Sequence, residues 1–441
     1  MARGKVAAKV GRAACPHAAE GGVLAAKNAK SAKAMKPSGV AWLGDIPEGW
    51  EVISIKEILR NVTIKDHPDA RVLSLYRELG ILPKDSRDDN HNVTSEDTAQ
   101  YKFVRIGNVV INKMKAWQGS IGVSAYEGIV SPAYYVCEFL DNNQSPVFIH
   151  FLLRNKKLAQ EFERLSTGMR VGQWDLGIDD FLRVKIPFPP LAEQKAIAAY
   201  LDEKCAAIDA AVAEAKKGIE EYKAWKKSLI FEMVTGKRRV GAFNAETQSR
   251  RDAEKMKPSG IPWIGDIPEG WRVSRVKNIA NIQHGQDPKT EGSIPVYGSG
   301  DGSFKTCGEY KDGPAVLLGR KGATLHIPHY IVGRYWNVDT AFDVKMLGDA
   351  NLRWFYYLAI CFDYKAYMSQ TTLPSMTQSD YRNMTIPIPE VSEQQAIADY
   401  LDEKCAAIDA MVAEKEALIA DLEVYKKSLI YETVTGKREV A

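Results

Sequence analysis

Several short motifs in this chain could bind a nucleotide, and each lacks a residue that such a site needs. The segment VTGKR, at Val234–Arg238 and again at Val434–Arg438, contains the Gly-Lys pair of a phosphate-binding loop. That loop also needs an upstream glycine and a following Ser or Thr, so a helix terminus is the better interpretation. The segment YGSGDGSF at Tyr297–Phe304 is rich in glycine. No strand–helix unit follows it, and a tight turn is predicted there instead.

Motifs for covalent or metal chemistry are incomplete as well. The segment HPDARVLSLYREL at His67–Leu79 has a Pro-Asp pair without the Glu-x-Lys of metal-dependent nucleases. No Asn-Pro-Pro-Tyr-like element of amino-methyltransferases is present, and the seven histidines form no HExxH pair. The six cysteines form no CxxC pair, and we expect small buried hydrophobes in a reducing cytoplasm. The sequence therefore predicts a non-catalytic chain with neither a metal site nor a cofactor of its own.

The chain is long and nearly neutral. Its 441 residues exceed one ordinary core, so two to four domains are expected. The formal net charge of +3 is far below that of a protein that coats DNA, so any nucleic-acid surface must be local. No apolar run is long enough to cross a bilayer. Residues 1–35, rich in Ala, Lys and Arg, predict a disordered basic tail.

The elements that must position any functional residue follow one plan that occurs twice. MKPSGVAWLGDIPEGW at Met35–Trp50 recurs as MKPSGIPWIGDIPEGW at Met256–Trp271, and the later segment YLDEKCAAIDA occurs twice without a change. Between these blocks, Glu51–Lys185 and Arg272–Thr385 differ in both length and sequence. The pattern indicates a repeated scaffold that carries two unlike inserts.

The repeated rear blocks predict two long helices. Apolar residues recur at alternating steps of four and three, which is a heptad pattern. In the first copy they are Leu201, Cys205, Ile208, Val212, Ala215, Ile219, Tyr222, Leu229 and Met233, with equivalent positions in the second copy. Lys226, Lys415 and Lys426 interrupt the seam. Ser392 followed by Gln395 matches a capping box at the start of the second helix.

Each predicted helix has roughly 40 residues, which at 1.5 Å per residue gives about 60 Å. A helix of this length with one apolar stripe needs a partner, and the other copy is the nearest candidate. Parallel and antiparallel packing both bury the seam. We expect an antiparallel coiled coil, because the two halves are joined in tandem.

The variable segments predict an α+β fold. β-branched and aromatic runs broken by Gly and Pro indicate a mixed β-sheet, and short amphipathic stretches indicate short helices. We therefore predict two globules, each with a mixed β-sheet and short helices, joined by two long helices packed as an antiparallel coiled coil, with an internal two-fold pseudo-repeat. The predicted domains are a tail at 1–35, a first globule at 36–188, a first long helix at 189–238, a linker at 239–256, a second globule at 257–388 and a second long helix at 389–441.

Four motifs in combination resemble the specificity (S) subunits of type I DNA restriction–modification systems. They are GDIPEGW in both front blocks, IPFPPLAEQ and IPIPEVSEQ, the helix starts IAAYLD and IADYLD, and the closing KKSLI and VTGK segments. The resemblance covers nearly everything after Met35 and keeps the family's order of recognition domain, helical region, recognition domain and helical region.

The resemblance implies a non-catalytic DNA-recognition subunit. Two target-recognition domains each recognise one part of a split DNA site, and the antiparallel helices set the gap between those parts. The helices also dock two modification subunits, which hold S-adenosylmethionine and methylate adenine, and two restriction subunits complete an ATP-dependent cleaving complex. S-adenosylmethionine, ATP and Mg²⁺ are thus expected in the partner subunits. Because the globules differ, the predicted site has two unlike half-sites and is not a palindrome.

Residue chemistry selects two loops in each globule as candidate DNA contacts. Arg, Lys, Gln, Ser and Thr side chains bond to base edges and phosphates. The candidates in the first globule are Lys113, Lys115, Trp117, Gln118, Thr167, Arg170 and Gln173. The candidates in the second globule are Arg320, Lys321, Thr324, Gln370, Thr371, Thr372 and Ser375. For any one of them an ordinary solvated loop position is an equally good interpretation, and a packing role suits Trp117 as well.

Residues of the repeated blocks are assigned to the scaffold or to subunit docking. They are Glu193, Gln194, Leu201, Ile208, Glu393, Gln394, Leu401 and Ile408. The alternative function is a coiled-coil adaptor that presents two globules to proteins or glycans. Such an adaptor would lack the steep loss of affinity with salt that counterion release gives a DNA-binding protein.

Overall fold

Two compact units make up the chain. The computed structural model describes residues 34–77, 79–86, 98–170, 173–240, 255–369 and 373–440. Unit 1 contains the residues up to Val212 together with those from Ala420 onward, and unit 2 contains Ala213–Ile419. Most of the predicted tail (residues 1–33) and of the predicted linker (241–254) lies outside the described residues. A strand begins at Met35, inside the range predicted to be disordered.

Unit 1 is built from short strands and three short helices. Its strands are β1 (Met35–Pro37), β2 (Asp45–Pro47), β3 (Glu51–Ser54), β4 (Leu59–Val62), β5 (Leu73–Tyr76), β6 (Gly80–Pro83), β7 (Lys102–Val104), β8 (Val109–Asn112), β9 (Ile121–Val123), β10 (Gly128–Val130), β11 (Tyr134–Phe139), β12 (Thr167–Arg170), β13 (Gln173–Asp175) and β14 (Lys185–Phe188). Its short helices are α1 (Pro146–Arg154), α2 (Lys156–Leu165) and α3 (Ile178–Arg183). Single 3-10 turns cover Ile55–Glu57, Lys84–Ser86 and Ala116–Gln118.

Unit 2 repeats this composition. Its strands are β15 (Met256–Pro258), β16 (Asp266–Pro268), β17 (Arg272–Arg275), β18 (Ala280–His284), β19 (Ile294–Tyr297), β20 (Ser303–Cys307), β21 (Lys311–Asp312), β22 (Ala315–Gly319), β23 (His329–Ile331), β24 (Arg334–Asn337), β25 (Ala341–Met346) and β26 (Thr385–Ile388). Its short helices are α5 (Leu352–Ile360), α6 (Tyr364–Tyr367) and α7 (Gln378–Asn383), and a 3-10 turn covers Val276–Asn278. The two long helices are α4 (Leu191–Val234) and α8 (Val391–Val434).

Each unit has a four-stranded antiparallel sheet with the same connectivity. The order is β4-β11-β8-β9 in unit 1 and β18-β25-β22-β23 in unit 2. Unit 2 adds a second sheet of order β20-β19-β24-β21, in which β19 and β24 are parallel. The predicted α+β class with mixed sheets is therefore confirmed.

Each globule is closed by pairing between the strand that follows its front block and its last strand. β3 pairs with β14, and β17 pairs with β26, both antiparallel. Because β14 and β26 lead directly into the long helices, this pairing fixes where each helix leaves its globule. α8 begins at Val391, so Ser392 lies in the first turn and the predicted capping box is wrong. The amides of Glu393 and Gln394 instead donate to the carbonyl of Glu390, each at 2.9 Å.

The core of each unit combines the globule with segments of both long helices. In unit 1 it contains Trp50, Phe148, Phe162, Phe181, Leu201 of α4 and Leu429 of α8. In unit 2 it contains Trp271, Phe342, Trp354, Tyr381, Leu229 of α4 and Leu401 of α8. The heptad positions of both helices are buried or half-buried, as predicted. Of the cysteines in the described residues, Cys137, Cys205, Cys307 and Cys405 are buried free thiols, and burial raises the pKa of Cys137 to about 12.

The long helices are antiparallel, as expected, and their lysines explain the interrupted seam. Within unit 2, a Cβ placed on Gly218 of α4 would lie 3.0 Å from Lys415 Cε of α8. Lys226, farther along α4, bonds Asp409, which comes earlier on α8, with Nζ at 2.7 Å from Oδ2. Within unit 1, the equivalent pair Lys426–Asp209 also has an Nζ–Oδ2 distance of 2.7 Å. These polar contacts inside an apolar seam favour one register of the two helices.

The front block of each repeat packs on the end of a long helix. Gly436 follows α8 with φ +74°, and a Cβ there would lie 2.4 Å from Pro47 Cδ and 3.2 Å from Trp50 Cη2. Lys437 Nζ donates to the carbonyls of Leu43 at 2.7 Å and Asp45 at 3.1 Å. Within unit 2, a Cβ on Gly236 would likewise lie 2.4 Å from Pro268 Cδ and 3.2 Å from Trp271 Cη2. The VTGK motif is therefore a helix terminus, as its sequence predicts, and the structure shows in addition that it holds the GDIPEGW block.

Gly436→Ala tests this close approach. Left-handed backbone strain and the overlap with Pro47 should together destabilise unit 1 by about 2–4 kcal/mol. Gly39→Ala, at φ +70° with no atom within 4 Å, should cost only the strain of about 1 kcal/mol, and Gly49→Ala, with nothing within 4 Å, should be nearly neutral. Chemical denaturation of the three variants measures the ranking. Equal stability of the Gly436 and Gly49 variants would contradict it.

Candidate nucleic-acid interface

The loop between β8 and β9 presents the first group of predicted residues in unit 1. Asn112 organises this loop, since its Oδ1 accepts from the amide of Met114 at 3.1 Å and its carbonyl accepts from the amide of Lys115 at 3.0 Å. Gly119, at φ +82°, ends the 3-10 turn of the loop. Lys115 is exposed at the tip, and Lys113 is half-buried.

Helix α1 holds the β8–β9 hairpin through two hydrogen bonds. His150 Nδ1 accepts from the amide of Val123 at 3.2 Å, and Arg154 Nη1 donates to the carbonyl of Ile121 at 3.2 Å. Burial, followed by the charge of Arg154, lowers the pKa of His150 to about 4, so the imidazole remains a neutral acceptor at pH 7. The β8–β9 loop therefore stands on a fixed base.

The hairpin β12–β13 joins the first loop at one surface. Lys113 Nζ lies 3.2 Å from Asp175 Oδ2, and the carbonyl of Lys113 accepts from the amide of Leu176 at 3.0 Å. The rings of Trp117 and Trp174 have centroids 5.3 Å apart. The structure thus brings together two loops that the sequence predicted separately.

The remaining candidates of unit 1 lie on the same two loops. Thr167 is exposed on β12, and Arg170 pairs with Gln173 across the hairpin backbone. Gln118 accepts a hydrogen bond from Arg77, on the β5–β6 turn, which the sequence analysis missed. Trp117 is half-buried and donates through Nε1 to the carbonyl of Met114 at 3.0 Å, so the packing role is observed for this side chain.

The loop after β22 is the equivalent site in unit 2. It contacts the segment after residue 372, since the amide of Met376 donates to the carbonyl of Arg320 at 2.9 Å and that of Gly322 to Pro374 at 3.0 Å. Lys321 forms a β-bridge with Ser375, and Lys321 is exposed. Gln370, Thr371 and Thr372 lie outside the described residues.

A third loop, the turn between β19 and β20, completes the surface of unit 2. Ser299 Oγ donates to the carbonyl of Lys321, and Thr324 Oγ1 donates to the carbonyl of Ser299 at 2.7 Å. The hydroxyl of Thr324 is therefore used within the protein. The sequence of this glycine-rich segment predicts only a tight turn, because nothing in its pattern indicates which distant loop it meets.

Acidic side chains hold two of the predicted cations in place. Arg320 Nη1 lies 3.1 Å from both the carbonyl and Oδ2 of Asp339, as Lys113 lies beside Asp175 in unit 1. These pairs order the cationic side chains before any ligand arrives, and an approaching phosphate would have to compete with the carboxylates.

A buried ionic network anchors the turn that carries Asp339. Asp343 is fully buried, and its Oδ2 accepts from Lys311 Nζ at 3.0 Å and from Tyr335 Oη at 2.9 Å. Lys311 Nζ also donates to Asn337 Oδ1 at 2.7 Å, and Asn337 Nδ2 donates to the carbonyl of Ala341 at 2.9 Å. Burial and Asp343 raise the pKa of Tyr335 above its usual value, so the phenol remains a donor.

Lys311→Met should destabilise unit 2 by about 3–5 kcal/mol, because it removes the cation that is hydrogen-bonded to the buried Asp343 carboxylate. Lys345→Met is the matched control: its Nζ lies 3.6 Å from Asp343 Oδ2 on a more exposed side chain, and its loss should cost under about 1 kcal/mol. Thermal unfolding of both variants gives the comparison. Equal shifts in melting temperature would refute the assigned role of Lys311.

The predicted scaffold residues lie mainly in the interior. Gln194 Oε1 accepts from the amide of Ser145 at 2.9 Å, and its Nε2 donates to the carbonyl of Pro189 at 2.8 Å. Gln394 repeats this with Asn351 at 2.8 Å and Pro389 at 3.0 Å. Ser145 and Asn351 are the N-caps of α1 and α5. Each glutamine therefore ties the start of a long helix to the start of a short one.

The other scaffold candidates have related roles. Leu201, Ile208, Leu401 and Ile408 are buried in the two cores. Glu393 accepts from Trp271 Nε1 at 2.9 Å and pairs with Arg239 Nε at 2.6 Å, while Glu193 is half-buried. These placements suit the scaffold role, and docking of subunits by these residues stays a prediction.

The described residues hold neither a metal cluster nor a membrane-spanning helix. They contain no group of three or more His, Cys, Asp and Glu side chains that could hold a metal ion. Among the same residues, no helix combines the length and apolar character needed to cross a membrane.

Comparison with known proteins places this arrangement in context. A family model described as the type I restriction modification DNA specificity domain matches residues 47–220 and 268–419. Each match covers a globule and part of the long helix that follows it.

Two curated relatives come from Methanocaldococcus jannaschii. The type I restriction enzyme MjaX specificity subunit is 26% identical over 446 residues, covering 90% of this chain and 96% of that relative. The type I restriction enzyme MjaVIII specificity subunit is 24% identical over 435 residues, covering 90% of this chain and 94% of that relative.

Solved structures share the fold. A chain from a study of complex assembly and conformational transition of the type I R-M system superposes with a TM-score of 0.68 at 16% identity, covering 89% of this chain and 99% of that one. The HsdS subunit from Thermoanaerobacter tengcongensis gives a TM-score of 0.53 at 16% identity, covering 89% and 98%.

Proposed function

The chain belongs to the type I restriction modification DNA specificity family, and we propose that it recognises the two halves of a split, asymmetric DNA site for a type I restriction–modification complex. The observation that carries this proposal is the convergence, in each unit, of separate polar loops onto one surface above equivalent sheets. Lys113 and Asp175 mark that surface in unit 1, and Lys321 and Ser375 mark it in unit 2.

Unlike half-sites follow from the differences between the globules. Unit 1 presents two loops in contact through a tryptophan pair, whereas unit 2 presents three loops, one of which belongs to its second sheet. Since different side chains contact different base edges, each unit is assigned its own base sequence. We propose that the unbroken 44-residue helices keep the spacer at one length.

The repeated scaffold supports a two-fold set of partners. We propose that two modification subunits and two restriction subunits assemble with this chain in the cytoplasm, and that they hold S-adenosylmethionine, ATP and Mg²⁺. In this assignment the chain itself catalyses nothing. The adaptor alternative is disfavoured, because the family match extends over both globules and into both long helices.

Exchange of one globule tests the modular assignment. Replacing Glu51–Lys185 with the equivalent segment of another specificity subunit should change one half-site of the methylated motif and leave the other half-site intact. Methylation-sensitive sequencing of host DNA measures both halves at once. A change in both halves would exclude independent recognition by the two units.

Arg320→Ala tests the loop after β22. If Arg320 exchanges Asp339 for DNA, its loss should weaken binding of the assembled complex by about 1–3 kcal/mol for a base contact. The control is Arg334→Ala, which removes an arginine from a surface ion pair with Asp312 in the same unit and should leave binding unchanged. Titration with duplex DNA measures both, and unaltered binding by the Arg320 variant would remove this loop from the interface.

A further inference from the structure

An exposed aromatic side chain lies beside the candidate surface of unit 2 and has no role in the function proposed so far. Phe304, on β20, is 61% exposed. Its neighbours Ser303, Lys305 and Thr306 are exposed as well, so this stretch of strand faces away from the core. A large apolar side chain held in solvent at the edge of a polar surface needs an explanation, since such positions often mark binding sites.

The backbone conformation determines the direction of this side chain. Lys305 pairs with Val296 and Ser303 pairs with Tyr297, so Phe304 is the extra residue of a β-bulge. A bulge redirects a side chain and is frequent next to functional sites. The ammonium of Lys305 lies 5.5 Å from the centre of the Phe304 ring, which places a cation beside the apolar face.

Close contacts fix Phe304 to the loops of the candidate interface. A Cβ on Gly298 would make an ordinary contact with Phe304 Cε1 at 3.5 Å and would lie 2.7 Å from Thr340 Oγ1, so the edge of the ring lies beside Gly298 and Thr340. The carbonyl of Thr340 accepts from the amide of Arg320 at 2.7 Å. The ring and the arginine loop therefore share one support.

We propose that Phe304 is a specificity residue that makes an apolar contact with bases of the half-site bound by unit 2. This inference rests on the proposed function and extends it to a named side chain. Phenylalanine contacts thymine methyl groups and base faces without forming hydrogen bonds. Phe304 would supply the part of recognition that Arg320, Lys321 and Ser375, as polar residues, cannot supply.

The test uses the full-length chain assembled with its modification subunits. The specific probe is a duplex that carries the sequence motif which the complete system methylates in its host. The non-specific probe is a duplex of scrambled sequence. Phe304→Ala should weaken binding of the specific duplex by about tenfold and leave the non-specific duplex unchanged. The slope of log affinity against log salt should stay the same, because no phosphate contact is lost.

Three further variants complete the design. Lys321→Ala should instead reduce the salt slope by about one if it contacts a phosphate. Val332→Ala removes a side chain that is 78% exposed in the same unit, at the far end of β23 from the Arg320 loop, and should have no effect. Phe304→Leu, which keeps an apolar side chain, should retain more affinity than Phe304→Ala.

The outcomes distinguish a failure of the proposed role of Phe304 from a failure of the proposed function. Wild-type complex without preference for the specific duplex would refute the proposed function. The role of Phe304 alone would be refuted if the wild-type complex prefers the specific duplex and Phe304→Ala leaves that preference intact. It would also be refuted if Phe304→Ala weakens binding of both duplexes equally, or if Val332→Ala weakens binding as much. Substitution of single base pairs should place the lost discrimination in one half-site, and a loss spread over both halves would also overturn the inference.

Discussion

The apolar seam of the two long helices is the constraint on which the rest of the structure depends. A 44-residue helix with one apolar stripe is unstable alone in water, because most of its stability must come from packing that stripe. α4 and α8 satisfy this requirement with each other's residues inside each unit. Leu229 with Leu401 in one core and Leu201 with Leu429 in the other show the same solution twice.

Apolar packing is non-directional, and polar contacts between the two long helices select one register. The pairs Lys226–Asp409 and Lys426–Asp209 are partly exposed, so their contribution to stability is small. A misaligned pair of helices would leave these lysines against apolar neighbours, which costs more than the correct pairing gains. The repeated residues are therefore held constant by the scaffold, whereas the inserted globules are free to differ.

The candidate interface depends on buried support more than on its exposed residues. In unit 1, a neutral His150 and Arg154 hold the β8–β9 loop from below. In unit 2, the network of Asp343, Lys311 and Asn337 holds the turn that carries Asp339. These buried contacts hold the loops in place without using the side chains that the loops expose.

Features that depend on local pattern could be predicted from the order of the amino acids. The heptad spacing predicted the helices, the duplicated blocks predicted the scaffold, and the VTGKR motif predicted a helix end, because period and backbone conformation are properties of neighbouring residues. Which distant segments meet is visible only in the folded chain. Ser299 beside Lys321 and Trp174 beside Trp117 are contacts between loops far apart in sequence, and the bulge that exposes Phe304 arises from the register of the β19–β20 hairpin; no sequence pattern encodes them. The same reason applies to Gln194, which the sequence assigned to the scaffold or to docking. Its buried hydrogen bonds to Ser145 and Pro189 show that it links two segments of the scaffold.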